Sequence, residues 1–159
     1  MQGAKRLENE NTMDIELRNV KENDFDWLYN LRSQTMTKYI NDSGDKFNLH
    51  KQSKRIMKEY ESIKIVRSDN QDIGMFKVKR NSDKWEIIQI QLLPDYQHMG
   101  IGKKLIQNLQ EEASQQGVPI FLSVLKVNPA KRLYERLGFK VVRENDKSYT
   151  MRHRAYQSN

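Results

Sequence analysis

The sequence predicts an α/β fold of the α+β kind, and three observations lead there. Residues 62–93 hold three short apolar runs, 62–67, 73–80 and 84–93, separated by the polar turns Ser68-Asp-Asn-Gln-Asp and Asn81-Ser-Asp. Turns of hairpin length join antiparallel neighbours, so the three runs read as a meander. The last run leads through Pro94 and a turn with two glycines, Gly100 and Gly102, into a helical period: Ile101, Leu105, Leu109 and Ala113 recur every four residues on one face. Beyond Gly117 and Pro119, a strand, a short helix and a closing hairpin complete the order β-α-α-β-β-β-α-β-α-β-β.

Taken in order, residues 1–12 are polar and aperiodic and read as a disordered leader or a cloning remnant, before one domain over 13–155. Residues 14–20 alternate, with Ile15 and Leu17 inward, as a first strand. Residues 22–33 carry Phe25, Leu28, Tyr29 and Leu31 at helical spacing, with Asn23 or Asp24 placed to cap. Residues 34–48 read as a loop around Asn41-Asp-Ser-Gly44-Asp, and a second helix spans about 49–60 with Ile56, Met57 and Tyr60 inward. Residues 86–93, rich in Ile and Leu, form a mostly buried strand that Pro94 stops, since proline cannot donate to a ladder. Residues 120–125 are a strand of β-branched and aromatic type, and 128–137 a short helix stopped by Gly138. Residues 139–143 and 148–152 are the closing hairpin.

Composition sets bounds on function. At 159 residues the chain is long enough for one domain that buries roughly two-thirds of its unfolded surface. Apolar residues make up 36% and charged residues 31%, and the apolar ones fall in periodic blocks, which excludes the disordered class. The lack of cysteine rules out disulfides and thiolate metal sites. His50, His98 and His153 are too scattered for zinc, so no metal is expected. No apolar run approaches the roughly 20 residues of a membrane span and no signal peptide is visible, so a cytoplasmic protein without a membrane partner is expected. The formal charge of +7 fits a generically basic surface or an anionic ligand. No recognition helix or aromatic stacking array supports specific nucleic-acid binding. Lys126, Lys131, Arg132, Arg136, Lys140 and Arg143 cluster after the glycine turn and suit a ligand with several phosphates.

Two glycines just before a helix present bare N–H groups at the positive end of its dipole, where phosphate binds without a charged side chain. Two familiar phosphate loops do not fit. The dinucleotide fingerprint needs a small residue where Leu105 stands, and the nucleotide-triphosphate loop needs Ser or Thr after Gly102-Lys103, where Lys104 stands. What remains is Gln97-His-Met-Gly100-Ile-Gly102 after a strand ending Leu92-Leu-Pro. This resembles the acetyl-CoA pyrophosphate loop of the GNAT superfamily of N-acetyltransferases, Arg/Gln-x-x-Gly-x-Gly/Ala. A second segment, Asn128-Pro-Ala130-Lys-Arg-Leu-Tyr134-Glu-Arg-Leu-Gly138-Phe139, is similar to that family's Asn-Pro-Ala-x-x-Leu-Tyr-Glu-x-x-Gly-Phe. Both lie in the family's order, and the resemblance spans about residues 13–152. It implies the GNAT fold: a central mixed, mostly antiparallel sheet of about six or seven strands flanked by about four helices.

The resemblance also implies roles. The strands at 86–93 and 120–125 would splay, and the pantetheine arm of acetyl-CoA would pair with the backbone near Leu92 and Leu93. The N–H groups from His98 through Met99, Gly100, Ile101, Gly102 and Lys103 would hold the pyrophosphate, with Gln97 at the family's Arg/Gln position. His98 and Met99 depart from the frequent basic pattern there, and Lys103 and Lys104 are placed to compensate. Tyr134 matches the tyrosine whose hydroxyl faces the cofactor sulfur, a general acid, although Ala130, Tyr134 and Leu137 also share a core-like helix face. Asn128 caps that helix and, in the family, bonds the pantetheine arm.

An amine of pKa near 10 is only about one part in a thousand unprotonated at pH 7, a handicap of roughly 4 kcal/mol, so a base is needed. Glu86 falls where histone-acetylating members carry their glutamate base, and its plain alternative is a solvated strand end. Gln89 and Gln91 alternate with Ile88 and Ile90 and would point into the acceptor pocket, ordering a water, or simply form a polar sheet face. The acceptor site, by the same analogy, is lined by Trp27, Tyr29, Arg32, Tyr39 and His50, with Trp27 and Tyr29 as a possible cation-holding pair. The reading is an N-acetyltransferase for a primary amine, small molecule favoured over protein, acting by direct attack as a monomer or homodimer. Its rival is a non-catalytic acyl-CoA-binding or sensing module.

Overall fold

The computed structural model describes residues 5–7 and 14–154. Among the described residues, eight strands form one sheet: β1 (Lys5–Leu7), β2 (Ile15–Asn19), β3 (Ile63–Ser68), β4 (Gln71–Arg80), β5 (Trp85–Leu92), β6 (Ile120–Leu125), β7 (Lys140–Glu144) and β8 (Ser148–His153). The helices are α1 (Phe25–Asp42), α2 (Leu49–Met57), α3 (Ile101–Gln116) and α4 (Lys131–Arg136). The sheet order is β1-β2-β3-β4-β5-β6-β8-β7, and every pairing is antiparallel except β5 with β6. The expected mixed, mostly antiparallel sheet and four helices are present. Within the segment expected to be a leader, Lys5–Leu7 pairs with β2 as an edge strand. The rest of residues 1–12, with Met13 and Ala155 at the expected domain ends, lies outside the described residues.

Strand alternation sorts the side chains onto two layers. One sheet face packs Val66, Phe76, Val78 and Ile87 against Leu105, Leu109 and Ala113 of α3, and against Tyr134 of α4. The other packs Ile63, Ile65 and Met75 against Leu28 and Leu31 of α1 and Ile56 of α2. Helix α1 runs nine residues past its expected end at 33, to Asp42. No glycine or proline interrupts residues 34–42, Ile40 is buried, and the stop comes only at Gly44 with φ 96°. Asp24 stands at the N-cap position, as read, but its carboxylate turns back to the Lys21 N–H at 2.7 Å and to Arg18 at 2.9 Å instead of capping the helix.

The end of α2 is held by an unusual partner. Lys77 on β4 is fully buried, and its Nζ donates to the carbonyls of Arg55 and Ile56 at 3.0 Å each and of Lys58 at 2.7 Å. A helix leaves its last carbonyls without intrahelical donors and carries partial negative charge there, so an ammonium satisfies both needs. Burial lowers the Lys77 pKa to about 8, with the charge of Arg32 acting in the same direction. Lys77→Met should lower stability by about 1–3 kcal/mol, because buried carbonyls lose their donors. Denaturant unfolding checks the loss, and amide exchange of α2 should rise before that of the sheet. An unchanged midpoint would show that these bonds do not hold α2.

Candidate active site

The site begins where two strands part. β5 pairs with β6 only through Trp85–Ile120, Glu86–Phe121 and Ile87–Leu122. β5 then stays with β4 to Leu92 while β6 stays with β8 to Leu125, so residues 88–92 have no strand neighbour on that side. The Leu93 N–H donates to Ile73 O at 2.8 Å, which sets the phase of the β4 ladder. By antiparallel alternation, the backbone groups of Ile90 and Leu92 point away from β4, into the gap. The Leu92 carbonyl already accepts Gln97 Nε2 at 2.9 Å, and the Leu93 carbonyl accepts the Tyr96 N–H at 2.8 Å. Of the expected pair, then, Leu92 offers its N–H and Leu93 is engaged within the protein. Ile90 is the position that sequence reasoning missed, because the phase of a ladder is set by register, which is not readable from one strand. Gly74 was also missed: a Cβ there would stand 2.4 Å from Gln91 O, so only glycine lets β4 lie this close to the end of β5.

The glycine turn meets the N-terminus of α3 beside this gap. Gly100 is the N-cap with φ 82°, a left-handed conformation that glycine adopts without penalty, and His98 before it has φ 61°. No side chain caps the helix and no acidic residue sits in its first turn. The first-turn N–H groups of Ile101, Gly102 and Lys103 therefore have no intrahelical partner, an arrangement that suits an anion. Gly102 is the more telling glycine. A Cβ there would meet only Leu133 Cδ2 at 3.9 Å and Ile90 Cδ1 at 4.0 Å, so the fold itself has room for a side chain. The missing side chain keeps this turn open to a ligand that lies against the backbone. His98, Met99 and Lys103 are exposed, Lys104 is half-buried, and the residues present fit a bound pyrophosphate.

Tyr134 is carried by α4, which follows β6, and sits in the core on the α3 side of the sheet. It is buried, its ring meets Phe139 edge-on at 6.1 Å, and burial raises its pKa to about 12, so the phenol keeps its proton. Asn128 was expected to cap α4, but the N-cap is Ala130 with no side-chain cap. Asn128 Oδ1 instead accepts the Ala130 N–H at 2.9 Å, an Asx turn one step before the helix that leaves its NH₂ group unspent. The basic cluster is partly neutralised: Lys126 pairs with Glu144 at 2.8 Å and Lys131 with Glu135 at 3.4 Å, while Arg132, Arg136, Lys140 and Arg143 are exposed.

A β-bulge decides what faces the acceptor side. Lys77 is opposite Gln89 but Val78 is opposite Ile87, so Ile88 is the extra residue. Regular alternation would put Glu86 and Gln89 on opposite faces. The bulge instead aligns Glu86, Gln89 and Gln91, opposite Lys79, Lys77 and Met75, on the α1/α2 face. Gln89 and Gln91 are buried along the open stretch, with Gln89 Oε1 lacking a hydrogen-bond partner among the described residues. Glu86 is half-buried where β5 is still paired on both sides. Trp27 and Tyr29 both pack against the α1/α2 core, but Tyr29 stacks on Phe25 and meets Phe47 rather than Trp27. They are not brought together as a cation-holding pair. Tyr39 is half-buried on the extended α1, His50 is exposed, and Arg32 is buried.

Comparison with known proteins agrees with this geometry. The family described as "Acetyltransferase (GNAT) domain" matches residues 21–157. The chain is 34% identical over 84 residues to a [ribosomal protein bS18]-alanine N-acetyltransferase of Haemophilus influenzae, a match covering 52% of this chain and 57% of that protein. The chain therefore spans somewhat over half the length of this curated relative. Among solved structures, the PaiA N-acetyltransferase of Thermoplasma acidophilum, in complex with coenzyme A, aligns with TM-score 0.67 and 19% identity over 88% of this chain and 98% of that one. The ribosomal-protein-S18-alanine N-acetyltransferase of Escherichia coli aligns with TM-score 0.68 and 18% identity over 91% and 96%. An open strand pair beside an uncapped, glycine-led helix is the framework of an acyl-CoA-binding fold. The chain belongs to the GNAT acetyltransferase family, whose acetyl donor is acetyl-CoA.

Gly102→Asp separates the loop's roles in folding and binding. A carboxylate in the first turn of α3 favours the helix, so the melting temperature should hold or rise slightly. Acetyl-CoA affinity should fall by about a hundredfold or more, since the carboxylate faces the phosphates. Calorimetry checks this, and unchanged affinity would remove the phosphate from this turn.

Proposed function

We propose that the protein is an N-acetyltransferase that moves an acetyl group from acetyl-CoA to a primary amine by direct attack, with both substrates bound together. The observation that carries this is the gap itself: backbone groups of Ile90 and Leu92 open towards it, Tyr134 on one side, and Glu86, Gln89 and Gln91 on the other sheet face. The relatives named as alanine N-acetyltransferases support nitrogen as the acceptor atom. A small molecule is favoured over a protein, and a cytoplasmic setting belongs to the same reading.

Backbone N–H groups from His98 through Lys103 hold the pyrophosphate, with Gly100 and Gly102 allowing close approach. Gln97 braces the end of β5 through Leu92 O, and Asn128 offers its free amide to the pantetheine arm. Bound there, acetyl-CoA supplies an acetyl thioester with a thiolate that can leave. Glu86, through a water held against Gln89 Oε1, takes the proton from the ammonium so that its nitrogen lone pair can form the C–N bond. The Leu92 N–H stabilises the oxygen that gathers negative charge. As the C–S bond breaks, Tyr134 supplies a proton to the sulfur. No covalent enzyme intermediate is needed, and the chain has no cysteine to form one.

Tyr134→Phe should lower kcat by about a hundredfold while leaving acetyl-CoA affinity within about twofold. Free thiol release on an amine panel measures the first and calorimetry the second. Because burial holds the Tyr134 proton up to about pH 12, wild-type turnover should rise from neutral to about pH 10 with no alkaline fall from this residue. An unaffected rate in the variant would remove Tyr134 from the acid role. Acetyl-CoA binding without thiol release on any amine would favour a sensing module.

A further inference from the structure

We infer that the acceptor carries a carboxylate near its amine, gripped by the guanidinium of Arg32. This rests on the acetyltransferase reading and adds to it the chemistry of the second substrate.

Arg32 projects from the inner face of α1, which packs on β5, and is 4% exposed. Among the described residues its guanidinium makes one hydrogen bond, Nε to Gln52 Oε1 at 2.6 Å, and no ion pair. Both Nη groups are left without a protein acceptor. A buried cation is costly unless it is paired, and Arg32 has no carboxylate to pair with. Its surroundings add positive charge: Arg55 acts on Arg32, and Arg32 in turn acts on the buried ammonium of Lys77. The carboxylate that influences Lys77, Glu59, is bound to Lys79 at 3.0 Å. Lys77 has its three donors filled by carbonyls at the end of α2, so Arg32 is the buried cation with donors to spare.

Position assigns the missing anion to the acceptor. Lys77 stands opposite Gln89 on the face that carries Glu86 and Gln91, beside the open stretch of β5. This layer thus holds spare donors on Arg32 and, on Gln89, a buried oxygen with no donor. An amine with a nearby carboxylate complements both. With Nε tied to the buried Gln52, the two Nη groups present an end-on fork that matches two carboxylate oxygens. Gln52 is the positioning residue that holds this fork.

Matched acceptors test the inference. Alanine is compared with alaninamide for a free amino acid, and Glu-Ala amide with Gln-Ala amide for a peptide end, by thiol release with wild type, Arg32→Met and Arg32→Lys. Wild type should prefer the carboxylate member of at least one pair by about tenfold or more in kcat/KM. Arg32→Met should bring that preference within about twofold and leave acetyl-CoA affinity unchanged. Arg32→Lys should restore only part of it, because an ammonium lacks the fork. Equal or better turnover of the neutral members in wild type, or a preference that survives Arg32→Met, would overturn the inference while leaving the acetyltransferase reading intact. Were no amine acetylated, the same pairs titrated calorimetrically against CoA-saturated protein decide it. Binding of a carboxylate member that is lost in Arg32→Met upholds the anion site, and binding of neither member overturns it.

Discussion

The structure turns on the early end of one strand pairing. β5 and β6 share three residue pairs and then part, in a sheet whose other central pairings run on for five or more. Parallel strands joined through a helix allow this. The α3 crossover brings β6 back beside the start of β5, and each strand then follows its own antiparallel neighbour, β4 or β8. Backbone groups left open inside a protein are costly unless water or a ligand meets them. An extended ligand arm with amide groups would satisfy them, so the gap is at once a structural defect of the sheet and the reason it can bind. The glycine-led helix follows the mouth closely: Pro94, just past the end of β5, opens a short turn through Tyr96, and residues 97–100 lead into α3.

The second organising feature is charge placed where a core would ordinarily exclude it. Arg32 and Lys77 lie in one layer, between two helices and the sheet. They serve different ends. Lys77 replaces the absent glycine cap of α2, and its three bonds make the charge a structural group. Arg32 is steadied by one glutamine and otherwise unspent, the pattern of a group retained for a ligand at some expense in stability.

Much of this was legible in the sequence because it rests on local rules. Gly100 at a positive φ, Pro94 just past a strand end and Asn128 in the turn before α4 each follow from the conformation that residue type favours, and Gly102 was legible through its motif. What stayed hidden depends on register. The bulge at Ile88 brings Glu86 to the same face as Gln89 and Gln91, and simple alternation gives the opposite answer for Glu86. The same limit hid Ile90, and the role of Gly74 emerges only once Gln91 is known to lie against it. Helix α1 runs past its expected end because residues 34–42 carry only Met36, Tyr39 and Ile40 among polar neighbours, too sparse a stripe to read, and their helicity follows from continuity with a packed segment.

The central claim is that the gap between β5 and β6, with the turn from Gln97 to Lys103, binds acetyl-CoA through both its phosphates and its amide arm. Calorimetric titration of acetyl-CoA, dephospho-CoA and ATP into the same protein tests it most directly. The account predicts about micromolar binding of acetyl-CoA, comparable binding of dephospho-CoA, which keeps both the pyrophosphate and the arm, and ATP weaker than either, because ATP offers phosphates but no arm to meet the open edge of β5. ATP binding as tightly as acetyl-CoA would show a phosphate site without a role for the open strand. Absence of acetyl-CoA binding would contradict the account outright.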